Sequence, residues 1–73
     1  MEKLAEKIEK IMFEYDFYDY RDAVDSREEG LEYVKTCLKH NKTAIIEYLN
    51  ELINDGIKEN YIKELVKEIK SLN

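Results

Sequence analysis

The sequence predicts an all-α protein, a small single-domain bundle of three to four short helices that spans residues 1–73. The chain contains no proline and is rich in Lys, Glu, Leu and Ile, a composition that favours helices. Apolar residues recur every three or four positions, and only Gly30 and Gly56 interrupt the pattern. No stretch alternates apolar and polar residues as a half-buried strand would. One helical domain is therefore expected.

The first predicted helix runs from near the N-terminus to about Tyr15. Its apolar stripe recurs at helical spacing and consists of Leu4, Ile8, Ile11, Met12 and Tyr15. After it, residues 17–25 fit an extension of the helix, a separate turn or an aromatic loop, because Asp, Tyr and Phe are indifferent helix formers. These three alternatives stay open from the sequence.

The second predicted helix opens with a capping box, in which the side chains of Ser26 and Glu29 each satisfy a backbone N–H at the helix start. The helix should end near His40 and Asn41. Its buried stripe is formed by Leu31, Val34, Cys37 and Leu38.

The third predicted helix is capped by Asn41 or Thr43 and ends at Asp55-Gly56, where Gly56 suits the left-handed conformation that closes many helices. Its inward residues are Ile45, Ile46, Leu49, Leu52 and Ile53. The fourth runs to the C-terminus and carries Tyr61, Ile62, Leu65, Val66, Ile69 and Leu72. Two ion pairs at i,i+4 spacing are predicted, Glu6 with Lys10 and Glu59 with Lys63.

The negative charge of the chain is concentrated between Glu14 and Glu32, a stretch that we call the acidic segment. It holds eight carboxylates and two arginines, an excess of six, whereas the whole chain has a net charge of −5. Its acids follow a spacing of three at Asp16, Asp19, Asp22, Asp25 and Glu28.

On a helix, this spacing would wind carboxylates round the surface with a rise of about 4.5 Å per step. Phosphates along one strand of duplex DNA lie about 3.4 Å apart, so a DNA-binding cleft could accept such a staircase. The alternative is that the charges merely solvate an exposed helix face. The lack of matching lysines argues against it, because uncompensated repulsion costs stability.

Aromatic rings are interleaved with these acids. Phe17, Tyr18 and Tyr20 cannot all share one helix face, and an exposed Tyr beside Asp is typical of interface hot spots, so core and interface roles stay equally open. Tyr15 continues the stripe of the first helix and is expected in the core, with Tyr33 or Tyr48 at the edge of the core. The arginines of the segment are expected to pair with nearby acids, Arg21 and Arg27 with Asp25 or its neighbours.

Catalytic, metal-binding and membrane-spanning roles find little support in the sequence. Cys37 and His40 form an isolated C-x-x-H that lacks the four ligands of structural zinc. We therefore expect no cofactor, no metal and no enzymatic activity. The acidic charge argues against direct nucleic-acid or lipid binding, and no apolar run reaches the roughly 18 residues of a membrane span. The lone cysteine and the charged N-terminal stretch predict a cytoplasmic protein.

The segment YDFYDYRDAVDSREEG (residues 15–30), followed by NKTAIIEYLNELINDG (residues 41–56), resembles the small acidic helical proteins encoded by phages and mobile elements of low-GC bacteria. Such proteins include anti-CRISPR proteins, which occupy the nucleic-acid-binding surface of a Cas nuclease, and anti-restriction proteins that imitate DNA. The resemblance implies a bacterial host and a partner with a basic surface, such as a Cas nuclease. Cas9-type effectors read a short DNA motif with arginines, for which an acidic wedge would compete.

Two functions from different classes are expected. The preferred one is an acidic protein-binding inhibitor that blocks the nucleic-acid-binding surface of a host defence nuclease. The residues predicted to contact the partner are Asp16, Tyr18, Asp19, Tyr20, Asp22, Asp25, Glu28 and Glu29. The alternative is a structural or homo-oligomerising domain without inhibitory activity. Its self-pairing stripe on the fourth helix would be Ile62, Leu65, Ile69 and Leu72.

Overall fold

The computed structural model describes residues 2–15 and 26–72, and every regular element in these two stretches is an α-helix. The helices are α1 (Glu2–Tyr15), α2 (Arg27–His40), α3 (Lys42–Asn54) and α4 (Glu59–Lys70). The predicted all-α class is confirmed, and the four helices of the described residues agree with the predicted three to four. The chain divides into two compact units, residues 1–36 and 37–73.

In the first unit, α1 runs antiparallel to the N-terminal part of α2. Arg27 Nη2 lies 2.9 Å from Glu9 Oε1, and Lys35 Nζ lies 2.7 Å from Glu2 Oε2. From Arg27 to Lys35 the chain runs about two turns along α2, and the paired acids run about two turns in the opposite direction along α1, from Glu9 to Glu2. The hydrogen bond from Lys35 to Glu2 raises the pKa of this ammonium above its ordinary value of 10.5.

The apolar stripe predicted for α1 forms most of the buried surface of this unit, although Tyr15 is only half-buried. The buried apolar side chains are Leu4, Ala5, Ile8, Ile11, Met12 and Val34. Of the two tyrosines predicted as alternatives for the core edge, Tyr33 is 43% exposed, whereas Tyr48 is half-buried. The reason for the exposure of Tyr33 is geometric: neighbouring helical residues are rotated by about 100° from each other, and Val34 takes the inward direction.

The start of α2 follows the predicted capping residue. Ser26 Oγ accepts a hydrogen bond of 3.1 Å from the backbone N–H of Glu29, and the Ser26 carbonyl accepts one of 2.9 Å from the N–H of Gly30. The first contact satisfies the N–H of Glu29, which would otherwise lack a partner at the helix terminus, and the second is the first i→i−4 hydrogen bond of the helix. The Ser26 half of the predicted capping box is thus confirmed, whereas the return hydrogen bond from the Ser26 N–H to the Glu29 side chain is not formed among the described residues.

In the second unit, α3 and α4 pack against each other. Lys42 Nζ donates a hydrogen bond of 2.7 Å to the Leu72 carbonyl, which places the start of α3 beside the end of α4 and makes the pair antiparallel. The buried apolar side chains of the unit are Leu38, Ile45, Leu49, Leu52, Ile62, Leu65, Val66 and Ile69.

Two expectations for α4 require correction. Tyr61 is predicted to lie in the inward stripe, whereas in the structure it is 44% exposed. The stripe proposed for self-pairing lies inside the chain itself, because Ile62 and Ile69 are fully buried and Leu65 is 1% exposed. Those three side chains therefore do not offer a free apolar face to a second copy.

The turn between α3 and α4 contains two residues with positive φ. Gly56 (φ +77°) donates its N–H to the Ile53 carbonyl at 2.9 Å, and Ile57 donates to the Leu52 carbonyl at 3.0 Å. This pair of hydrogen bonds is the Schellman motif, and the left-handed conformation that the sequence predicted for Gly56 is confirmed. Lys58, at the N-cap of α4, has φ +42°, a conformation that side chains other than glycine rarely adopt.

The start of α3 differs from the prediction in one detail. Asn41 holds the N-cap position, but its side chain makes no capping hydrogen bond. Thr43 lies inside the helix. The backbone of Asn41 instead continues from α2, since its N–H donates to the Cys37 carbonyl at 2.7 Å.

Candidate interaction site

The structure describes only the C-terminal end of the predicted partner-binding set. Glu28 and Glu29 lie in the first turn of α2, and both are exposed. The other predicted contacts lie outside the described residues. They are Asp16, Tyr18, Asp19, Tyr20, Asp22 and Asp25, together with the neighbouring Phe17 and Arg21.

Acids in the first turn of a helix interact favourably with the helix dipole, so Glu28 and Glu29 have a structural role available to them. Within residues 2–15 and 26–72, neither carboxylate forms an ion pair. Glu32, one turn further on, lies 3.4 Å from Lys35 Nζ. The described end of the acidic segment is thus partly compensated at Glu32 and uncompensated at Glu28 and Glu29.

Arg27 connects this end of the segment to α1. Its Nε and Nη2 both donate to Oε1 of Glu9, at 3.3 and 2.9 Å. Glu9 is 4% exposed and is the one charged residue buried in the described part of the chain. Sequence reasoning assigned Arg27 a nearby acid, whereas the structure gives it a partner eighteen residues earlier.

Phe13 contacts the same guanidinium from another side. The Arg27 Cζ atom lies 4.8 Å from the centroid of the Phe13 ring, within the range of a cation–π interaction. Glu9 and Phe13 are four residues apart, so they share a face of α1. Together they hold a guanidinium whose side chain is still 55% exposed.

An open pocket of about 240 Å³ lies beside this pair. Its lining comes from α1 and the first two turns of α2, and comprises Glu6, Glu9, Lys10, Arg27, Glu28 and Leu31. The described residues of the lining are mostly charged, and they supply three carboxylates, one ammonium and one guanidinium beside a single apolar side chain. Its volume is below the roughly 300 Å³ at which small-molecule sites begin, so the pocket is of a size to accept one side chain.

Sequence reasoning identified Glu28 but missed the role of the other lining residues. The ion pair predicted between Glu6 and Lys10 is not formed among the described residues, and both side chains line the pocket. Glu9 carried a signal that could have been used. It continues the spacing of Ala5 and Met12, at i, i+4 and i+7, and therefore lies on the buried side of α1.

Other types of site find no support in the described residues. Within residues 2–15 and 26–72, no group of three or more His, Cys, Asp or Glu side chains is placed to hold a metal ion. Cys37 is a half-buried free thiol, and His40 is exposed. None of the four described helices is both long and apolar enough to cross a membrane.

Comparison with known proteins adds no relative from which a function could be carried over. No family model, curated protein sequence or solved structure matches the chain.

Proposed function

We propose that the protein is an acidic protein-binding inhibitor, which covers the basic nucleic-acid-binding surface of a bacterial host defence nuclease, such as a Cas nuclease, in the cytoplasm. The observation that carries this proposal is the uneven distribution of charge. The acidic segment holds eight carboxylates and two arginines, whereas residues 33–73 hold six acids and seven lysines. A localised excess of one sign favours a partner of the opposite sign.

The contact between Arg27 and Glu9 supports the proposal. Arg27 is one of the two arginines of the acidic segment, and it donates two hydrogen bonds to an acid that lies outside the segment. Part of the positive charge that the sequence supplies to this segment is thus used for packing α2 against α1. The remaining repulsion between carboxylates costs stability, and contact with cations of a partner would offset it.

The proposed mechanism is competition for the same cations. Nucleases hold the phosphate backbone with Lys and Arg side chains, and carboxylates presented on a rigid surface would bind those side chains instead. Charge would steer the encounter, while the rings of Tyr18 and Tyr20 would extend the lifetime of the complex. A nuclease occupied in this way would no longer bind its nucleic acid.

The test is affinity capture from a bacterial lysate at low and high salt, with two triple variants that change net charge equally. Asp19, Asp22 and Asp25 are replaced by Lys in the first variant, and Glu47, Glu51 and Asp55 in the control. We expect the first variant to lose the partner and the control to retain it. We also expect added salt or added DNA to release the partner from the unmodified chain.

Equal capture by both variants, or capture insensitive to salt, would contradict the proposal. Nuclease activity, assayed with and without the purified chain, then separates inhibition from mere binding. An active nuclease in the saturated complex would exclude the inhibitory mechanism.

A further inference from the structure

We propose that the pocket beside the Glu9–Arg27 pair receives an arginine side chain of the basic partner. This inference deepens the proposed function and rests on it, because it identifies the chemical group that the protein binds and the residues that bind it. The residues that would form this arginine pocket are Glu6, Glu9, Lys10, Arg27, Glu28 and Leu31.

The charges that line the pocket favour a cation. Glu9 and Arg27 form an ion pair at 2.9 Å and largely neutralise each other. The remaining charged residues of the lining are the carboxylates of Glu6 and Glu28 and the ammonium of Lys10, so the pocket has a net charge of −1. The net charge of the whole chain is also negative, at −5. An anionic ligand would meet the carboxylates of Glu6 and Glu28, whereas a cationic one would meet the Lys10 ammonium and an Arg27 guanidinium whose charge Glu9 already balances.

The shape and composition of the pocket favour arginine among cationic side chains. Leu31 contributes apolar surface against which the methylene groups of an arginine can pack. Glu6 belongs to α1 and Glu28 to α2, so the two carboxylates approach the pocket from different helices. A planar guanidinium has N–H donors on several edges and can therefore serve two separate acceptors, which suits it better than a compact ammonium.

The wall of the pocket is held in place before a ligand arrives. Arg27 is fixed by two hydrogen bonds to Glu9 and by the ring of Phe13. A side chain that is already ordered loses little conformational freedom on binding, which favours affinity.

The first experiment is an NMR titration of the full chain with N-acetyl-arginine amide. N-acetyl-citrulline amide, which has nearly the same shape without the charge, is the matched control probe, and inorganic phosphate tests for an anion site. We expect saturable shifts at the amides of Lys10, Glu28 and Leu31 with the arginine probe, and no saturation with the other two.

The second experiment repeats the titration on three variants. Replacing Glu6 and Glu28 by Gln should weaken arginine binding about fivefold, since two exposed ion pairs are lost. Lys10→Gln should strengthen it about twofold because a repulsive charge is removed. The control with Glu47 and Glu51 replaced by Gln, both exposed on α3, should bind as the unmodified chain does.

Equal binding of arginine and citrulline probes, or no effect of the Glu6 and Glu28 replacements, would overturn the assignment. Saturable phosphate binding that Lys10→Gln weakens would overturn it in favour of an anion site. If the arginine probe does not bind, the pocket is not an arginine site, even if partner capture still depends on Asp19, Asp22 and Asp25. If the probe binds but no partner is captured, only the proposed inhibitory function is excluded.

Discussion

Glu9 and Arg27 are eighteen residues apart in the chain, yet the Nε and Nη2 atoms of Arg27 both donate hydrogen bonds to the same carboxylate oxygen of Glu9, Oε1. The carboxylate is buried and the guanidinium is half-exposed. The contact joins α1 to the first turn of α2. The buried Glu9 carboxylate needs a hydrogen-bond donor, whereas the Arg27 guanidinium that supplies it remains accessible to other molecules.

Arg27→Met tests the structural weight of this contact. The methionine keeps much of the apolar stem but removes both hydrogen bonds to a buried carboxylate, so the free energy of unfolding should fall by about 1–3 kcal/mol. Urea denaturation measures the change. Glu9→Gln is the control and should cost less, because the amide oxygen can still accept from Arg27. A larger loss for Glu9→Gln than for Arg27→Met would contradict this account.

Ser26→Ala removes the side-chain cap of α2. The N–H of Glu29 loses its acceptor at 3.1 Å, and the free energy of unfolding should fall by about 1 kcal/mol. Thermal unfolding followed by circular dichroism would report the change. Ser26→Asn supplies another capping side chain and should retain most of the stability, so equal losses for the two variants would argue against capping as the cause.

Lys58→Gly should stabilise the protein. A residue other than glycine in the left-handed region costs about 1–2 kcal/mol, and part of that is offset by the greater freedom of glycine in the unfolded chain, so a gain of about 0.5–1 kcal/mol is expected. Gly56→Ala is the opposite change at φ +77°. No atom lies within 4 Å of the added Cβ, so only backbone strain acts there, and a loss of about 1 kcal/mol should follow. Chemical denaturation of both variants would check the opposite signs.

The contact between Glu59 and Lys63 should be visible in an acid titration. Lys63 Nζ donates to Glu59 Oε1 at 2.7 Å, and this hydrogen bond lowers the pKa of the Glu59 carboxyl below its ordinary value of 4.5. Its contribution to stability is therefore present above pH 4.5 and is lost as the pH falls through the lowered pKa. NMR titration of the Glu59 carboxyl should show the pKa rising toward 4.5 in Lys63→Gln, whereas Lys67→Gln should leave it unchanged.

The features that the sequence predicted correctly depend on local signals. Gly56 follows the last apolar residue of α3 and is read directly as a helix end. Ser26 with Glu29 likewise marks a helix start within four residues. The apolar stripes of α1 and α4 have a spacing that only a helix satisfies, so their buried residues were largely predictable.

The features that the sequence did not predict depend on contacts between distant parts of the chain or on side chains with mixed character. Arg27 has acids on both sides in the sequence, and only the approach of α1 selects Glu9. Tyr33 and Tyr61 can place their rings in a core or at a surface, and neighbouring aliphatic residues decided the outcome. The sequence did not predict the pocket, because its lining combines residues from two helices. Among those residues, only Glu28 belongs to the predicted partner-binding set.

The turn between α3 and α4 has a stereochemical consequence. Gly56 and Lys58 occupy the backbone region that mirrors the right-handed helix, and a D-amino acid favours that region for the same steric reason that an L-amino acid avoids it. A chain of 73 residues can be assembled from synthetic peptides. D-Alanine at position 56 and D-lysine at position 58 would therefore fit this turn without backbone strain, so chirality can be inverted at two sites while the helices on either side stay unchanged.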